Sequence, residues 1–231
     1  MERGVIFITG GGVGIGRATA YEFARHKYSV AITYHRSESE AQETVNQCRK
    51  LGAPDAIAIP LDLMDDRSIV SAVQAVIRRY QKISVLINNA GVAIRKSLRD
   101  QSSEEIQQQI RVNLEGLIKI TKESLPHIEG GIINIASGAG KTGIPFLATY
   151  CATKFGVRGF TQAIAGEYSR LLILSVNPDT TATRMSNYRG RPPEEVARVI
   201  FDATRGCYAL PSGSDIDLWT PPAIDTSICS D

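Results

Sequence analysis

The stretch from Val5 to Phe23 constrains this chain most. Val5, Ile6, Phe7 and Ile8 form an apolar run of strand length, and Thr9-Gly10-Gly11-Gly12-Val13-Gly14-Ile15-Gly16 comes at once after it. Beyond it, Ile15, Ala18, Thr19 and Phe23 recur at helical spacing. Glycines allow a tight turn and close approach of a ligand to the backbone, and the first N–H groups of the helix are unpaired donors suited to a pyrophosphate. The spacing T-G-x-x-x-G-x-G differs from the G-x-G-x-x-G dinucleotide fingerprint but does the same physical job. A purely structural glycine turn is the competing reading.

The alternation of strands and helices continues. Val30 to Tyr34 reads as a second strand, and its end lies about twenty residues beyond the glycines, where an adenosine ribose is read. An acidic residue there would accept from a ribose 2′-hydroxyl, whereas this chain has His35, Arg36 and Ser37. A guanidinium with a neighbouring hydroxyl suits a 2′-phosphate, and an exposed Arg in a solvated turn is the alternative. A second helix buries Ala41, Val45 and Cys48 and stops near Gly52-Ala53-Pro54. Ala56 to Ile59 forms strand three, after which Asp62 and Leu63 could reach an adenine ring if the sheet is parallel; a lone Asp62 also reads as a loop residue or helix cap. A third helix carries Ile69, Val73, Val76 and Tyr80. Strand four, Ile83 to Ile87, ends in Asn88-Asn89-Ala90-Gly91, two amides and a glycine that can pin neighbouring strands and leave room for a nucleotide.

Composition limits the partners. The 231 residues carry 26 Lys and Arg against 24 Asp and Glu, a formal charge of +2, which gives no reason to expect nucleic acid. No run reaches the roughly 18 apolar residues of a membrane helix, and the first apolar strand is too short for a signal-peptide core. A cytoplasmic chain without a membrane contact is expected. Its four scattered cysteines, Cys48, Cys151, Cys207 and Cys229, are expected to stay reduced.

The chemistry is expected between Gly130 and Lys154. Ile132 to Ala136 reads as a buried strand ended by Ser137-Gly138-Ala139-Gly140, and Tyr150 opens a helical pattern in which Lys154 stands at i+4 on the same face. An ammonium beside a phenol favours the phenolate and lowers its pKa from about 10 toward neutrality, which makes Tyr150 a general acid for a carbonyl oxygen. A surface Tyr and Lys on an amphipathic helix is the bland alternative. The preceding helix starts with a capping-type Ser102-Ser103-Glu104-Glu105 and shows an apolar stripe of Ile106, Ile110, Leu114, Leu117 and Ile118, with Asn113 beside it.

Thr9-Gly10, Gly14, Gly16, Asp62, Asn88-Asn89-Ala90-Gly91, Asn113, Ser137, Tyr150 and Lys154 fall in the order and spacing of the short-chain dehydrogenase/reductase family. The chain resembles that family over residues 4 to 185, most closely its compact single-domain branch of 3-oxoacyl-carrier-protein reductases and carbonyl reductases. The resemblance implies an α/β chain, with a Rossmann-type doubly wound parallel sheet of about seven strands and helices on both faces. It implies one domain over residues 1–231 and a nicotinamide cofactor touching Gly10, Gly12, Val13, Gly14, Ile15, Gly16, His35, Arg36, Ser37, Asp62, Leu63, Asn89, Ala90, Gly91, Tyr150, Lys154, Pro178, Thr181 and Thr183. By the same resemblance Ser137 donates to the substrate oxygen, Tyr150 transfers the proton, Lys154 lowers the Tyr150 pKa and binds the nicotinamide ribose, and Asn113 holds a water beside Lys154. NADP(H) is expected as the preferred cofactor, with NAD(H) possible. A small-molecule carbonyl or secondary alcohol is the expected substrate, and a homo-dimer or homo-tetramer the expected assembly. An NAD(H)-dependent sugar or polyol dehydrogenase and a non-catalytic dinucleotide-binding sensor are the rival readings.

The last third departs from the family pattern. Asn177-Pro178-Asp179-Thr180-Thr181-Ala182-Thr183 places Asp179 where the family commonly has glycine, so a backbone φ that Asp tolerates is expected there. Residues 184–193 form a shortened substrate lid with Met185 and Tyr188 as its remaining side chains, which predicts an open site. Pro192-Pro193-Glu194-Glu195 starts a helix, and Asp215 to Trp219 reads as a final strand.

Overall fold

A computed structural model describes residues 3–225, 227 and 229. Among them seven parallel strands form one sheet in the order β3-β2-β1-β4-β5-β6-β7. The strands are β1 Arg3–Ile8, β2 Tyr28–Tyr34, β3 Ala56–Pro60, β4 Ile83–Asn88, β5 Ile128–Ile135, β6 Leu172–Asn177 and β7 Asp215–Asp217. The order turns back between β1 and β4, and there the carboxyl ends of the strands open into a crevice.

The central parts of the strands are largely apolar because both faces of the sheet are covered. Ile6 and Ile8 point into a core shared with Phe23 of α1 (Gly14–Arg25), Val45 of α2 (Glu38–Leu51) and Ile200 of α7 (Pro193–Thr204). Val5 and Phe7 point the other way, toward Ile69 and Val73 of α3 (Asp66–Tyr80), Ile120 of α5 (Gly116–Ser124) and Ile164 of α6 (Ala148–Glu167). Burying each such side chain is worth about 1.5–3 kcal/mol, so the two cores fix which face each strand presents.

The stripe expected before the catalytic segment is not continuous. Helix α4 (Ser103–Ile110), started by a Ser102/Glu105 capping box, passes into a π-helical turn, Arg111–Glu115, before α5. One added residue rotates the helix beyond it by about 100°. Asn113 is thereby turned fully inward, while Ile110 and Ile118 stay exposed at 43% and 37%. Two other expectations are corrected. Strand β7 ends at Asp217, leaving Trp219 in the adjoining turn, and Cys207 is joined to Cys229 by a disulfide with Cα atoms 5.6 Å apart, within bridging range. Cys48 and Cys151 remain free and buried. Among the described residues no helix is long and apolar enough to cross a membrane, and no group of His, Cys, Asp and Glu could hold a metal ion.

Candidate active site

The glycine turn lies at the carboxyl end of β1, fastened on both sides. Gly10 and Gly14 have φ of +67° and +56°, which side chains resist, and a Cβ at Gly16 would stand 2.3 Å from the Gly10 carbonyl oxygen. Asn89 Nδ2 donates to the Thr9 and Gly10 carbonyls at 3.0 Å, and the Thr9 hydroxyl accepts from the Asn89 and Ala90 N–H groups at 3.0 Å. The Gly10 N–H donates to Thr33 Oγ1 at 3.1 Å on β2. No side chain caps the start of α1 at Val13, and its first turn carries no acid. Its first N–H groups, those of Gly14, Ile15 and Gly16 among them, are therefore suited to an anion, and this cradle fits a dinucleotide pyrophosphate.

A cleft of about 280 Å³ continues from this turn past the end of β2, lined by Gly10, Gly12, Val13, His35, Arg36 and Ser37. Thr33, Tyr34, Val92 and Gln108 complete its wall and were absent from the expected set. His35 Nε2 lies 3.7 Å from Asp62 Oδ2, while Asp62 Oδ1 accepts from the Met64 N–H at 2.8 Å, so one carboxylate shapes its own turn and faces the cleft wall. Leu63 is buried in the core beside Gly116, leaving only its backbone for a nucleotide. Arg36 is exposed, and Ser37, the first residue outside α2, makes no capping bond with its hydroxyl. Both polar groups are thus available at a helix N-terminus.

Asn113, Ser137, Tyr150 and Lys154 converge from three elements. Asn88 Nδ2 donates to Thr121 Oγ1 and Asn134 Oδ1, each at 2.8 Å, which locks β4 to α5 and β5. Asn113 Oδ1 accepts from the Val92 N–H at 2.7 Å while its Nδ2 donates to the Val92 carbonyl at 2.8 Å and to Thr153 Oγ1 at 3.2 Å. The side chain thus holds the loop after β4. A Cβ at Gly91 would meet Asn113 Oδ1 at 3.2 Å and Lys154 Nζ at 3.7 Å, which locates that loop against the lysine. Lys154 is buried, donates to the Ile135 carbonyl at 2.8 Å and has its Nζ 5.7 Å from the Tyr150 ring centroid. Burial lowers its pKa to about 8.

The expected lowering of the Tyr150 pKa is not found. Burial pushes the phenol up, a hydrogen bond from Ser137 pulls the other way, and the result lies above the ordinary value. A lysine beside the ring does not outweigh removal of the phenolate from water. The Tyr150 phenol therefore carries its proton at neutral pH.

Asp179 also differs from expectation, because it has no positive φ. Its carboxylate takes both oxygens to Arg191, at 3.0 and 2.9 Å, and Arg191 reaches Glu195 at 2.8 Å. The acid stands there for its side chain. Pro178 accepts from the Gly138 N–H at 2.9 Å, which joins this turn to the Ser137 turn. Thr181 is buried with its hydroxyl on the Asp179 carbonyl at 3.1 Å, and the Thr183 methyl carbon would lie 3.0 Å from a Cβ on Gly14, beside the anion cradle. Past Thr183, Arg184 pairs with Glu40 at 2.7 Å across to α2, while Met185 and Tyr188 are exposed at 54% and 70%.

A charged network supports the Ser137 turn from below. Arg158 on α6 donates to the Gly140 carbonyl at 2.7 Å and to Asp215 at 2.6 Å, and Lys141 lies 3.0 Å from both Asp215 and Asp217. Burial alone would raise the Asp215 carboxyl, but hydrogen bonds from Arg158, Lys141 and Asn177 outweigh it and hold the pKa at about 2, against 3.8 ordinarily. The ionised pair therefore contributes about 2 kcal/mol of stability above pH 3.8, lost as the pH falls through about 2. Asp215→Asn is expected to lower unfolding free energy by about that amount at pH 7. Urea unfolding checks this: the gap between the two proteins should shrink between pH 4 and pH 2, and a constant gap would show that the ion pairs are not its source.

A family model described as short chain dehydrogenase matches residues 4–193. The chain is 34% identical over 212 residues to 17-beta-hydroxysteroid dehydrogenase 13 of Rattus norvegicus, covering 85% of this chain and 70% of that protein. Against estradiol 17-beta-dehydrogenase 11 of Mus musculus it is 36% identical over 171 residues, 72% of this chain and 57% of the relative. Among solved structures, a short chain dehydrogenase from Burkholderia cenocepacia in complex with NADP superposes with a TM-score of 0.86 at 26% identity, over 92% of this chain and 94% of that one. A 3-ketoacyl-(acyl-carrier-protein) reductase from Brucella melitensis complexed with NADH gives 0.86 at 25% identity, over 94% and 97%. The chain belongs to the short-chain dehydrogenase/reductase family of nicotinamide-dependent oxidoreductases.

Proposed function

We propose that the protein interconverts a carbonyl compound and a secondary alcohol, with NADP(H) as preferred cofactor and Tyr150 as the acid or base. One observation carries the reading: Lys154 Nζ lies 5.7 Å from the Tyr150 ring centroid, on the helix packed against the Ser137 turn at the carboxyl edge of the sheet. The relatives named for hydroxysteroid and ketoacyl chemistry act on groups of this kind, which supports the reaction class. The rivals, a polyol dehydrogenase using NAD(H) and a binding-only sensor, lack an observation of this weight.

When bound, the nicotinamide supplies or accepts the hydride. The chain does the rest. Ser137 donates to the substrate oxygen and Tyr150 delivers a proton to that same oxygen as negative charge develops on it. With the phenol pKa held up by burial, Tyr150 carries its proton at neutral pH, the form that donates to a carbonyl oxygen. Lys154 keeps a positive charge beside the phenol up to about pH 8. Asn113 positions the loop at Gly91 and Val92 against which Lys154 lies. The short segment after Thr183 leaves Met185 and Tyr188 in solvent, which fits one domain with an open substrate side. Ile110 and Ile118, exposed on α4 and α5, suit a homo-dimer or homo-tetramer contact.

Cofactor choice rests on Arg36 and on the Ser37 hydroxyl at the start of α2. Glu38 and Glu40 sit in that helix's first turn, and Glu40 is paired with Arg184. A charged hydrogen bond is worth about 1.5–3 kcal/mol, so Arg36→Asp should weaken NADPH about tenfold or more and leave NADH little changed. Dissociation constants for both cofactors, with turnover on a carbonyl and alcohol panel, test the reading. Equal constants in the unmodified protein would defeat the NADP preference, and an inactive panel would defeat the reaction class.

A further inference from the structure

Trp219, the chain's one tryptophan, has no part in the chemistry above. It is 43% exposed, two residues past β7, in a turn closed by a bond from the Thr220 N–H to the Asp217 carbonyl. A Cβ placed on Gly138 would meet the six-membered part of the indole, with ring carbons at 3.4 and 3.8 Å. Gly138 is the residue next to Ser137. The ring therefore rests on the bare backbone of the residue that follows Ser137.

Three neighbouring strands set this up. β5, β6 and β7 lie side by side and parallel, so Ser137, Pro178 and Trp219 leave the sheet at the same carboxyl edge, where open α/β sheets bind their ligands. The turn is not free to swing. Leu218 N–H donates to the Asn177 carbonyl at 3.2 Å, and Arg191 donates to the Leu218 carbonyl at 3.3 Å. Lys141, four residues after Ser137, holds Asp217 at 3.0 Å. Scattered exposed apolar residues need no explanation, but an indole carried on a turn held by this many bonds and laid against the Ser137 turn does.

We propose that Trp219 is a preformed shelf for the body of the substrate, selecting carbonyls and secondary alcohols carried on a flat apolar frame, alicyclic or aryl, over short acyclic ones. An indole offers a broad, rigid face with little rotamer freedom, so packing an apolar ring against it orders few side-chain torsions. The inference deepens the carbonyl–alcohol reading and rests on it. It places substrate selectivity at the β7 end rather than in the short lid.

Two arms test it. With NADPH, the ratio of kcat/KM for 2-decalone to that for acetone should fall about tenfold in Trp219→Ala and be largely kept in Trp219→Phe. An unchanged ratio in the Ala variant overturns the proposal. The second arm needs no turnover: 2-decalone titrated into Tyr150→Phe saturated with NADP⁺ should change the emission of the sole tryptophan saturably. Emission that responds to protein concentration and not to 2-decalone would make Trp219 a subunit contact and overturn the shelf. A wild-type protein that reduces neither ketone sinks the reaction class, while the emission titration still decides the role of Trp219.

Discussion

Tyr150→Phe is expected to lower turnover about 10²–10⁴-fold while leaving NADPH affinity within a small factor, because it removes the proton donor and keeps the ring. The phenol is half-buried, and desolvation raises its pKa above the ordinary value, so it carries its proton at neutral pH. The ring itself remains and fills its site. Steady-state turnover alongside cofactor titration separates the two effects. Retention of substantial activity in this variant would move the acid to another residue.

The second large effect is at Lys154, where activity and stability should move in opposite directions. Burial holds its pKa at about 8 against 10.5 in the open chain, so at pH 7 folding carries a penalty of about 3 kcal/mol for enclosing the charge. Lys154→Met removes that penalty but takes a donor from the Ile135 carbonyl, which costs about 1–3 kcal/mol. The net should be a variant at least as stable as the wild type at pH 7, by up to about 2 kcal/mol. Turnover should fall about 10²–10³-fold, because the charge beside the phenol is gone. The unfolded chain binds more protons at this site between pH 8 and 10.5, so wild-type stability rises relative to the variant across that window. Denaturant unfolding at pH 7 and pH 10 reads the sign, and a variant markedly less stable at pH 7 would show that Lys154 is held mainly for structure.

Features determined by near neighbours in the chain are legible in the sequence. The Gly10–Gly16 turn announces itself because its strained φ values need glycine where the residues themselves stand. Tyr150 and Lys154 share a helix face by their spacing alone, and Asn88-Asn89 declares two amides at a strand end. Strand alternation and helix stripes locate both cores for the same reason. Features that depend on distant partners do not show. Asp179 reads wrongly as a backbone signal because its partner, Arg191, lies 12 residues on. Asn113 is misplaced beside its stripe because a π turn changes the helical phase without a sequence mark. Gln108 and Val92 line the cleft only once the loop after β4 folds against α4, and the Cys207–Cys229 bridge depends on where the tail returns. The Tyr150 pKa moves opposite to the direction its spacing from Lys154 implies, since a pattern reveals a neighbouring charge and not the water that burial removes.

The most direct measurement of hydride transfer with Tyr150 as proton donor uses NADPH carrying deuterium at the position it gives up. Incubated with the wild-type protein and a reducible ketone, it should yield an alcohol with one deuterium on the carbinol carbon, and Tyr150→Phe should yield almost none. An alcohol free of deuterium, or an equal yield from the variant, would contradict that assignment.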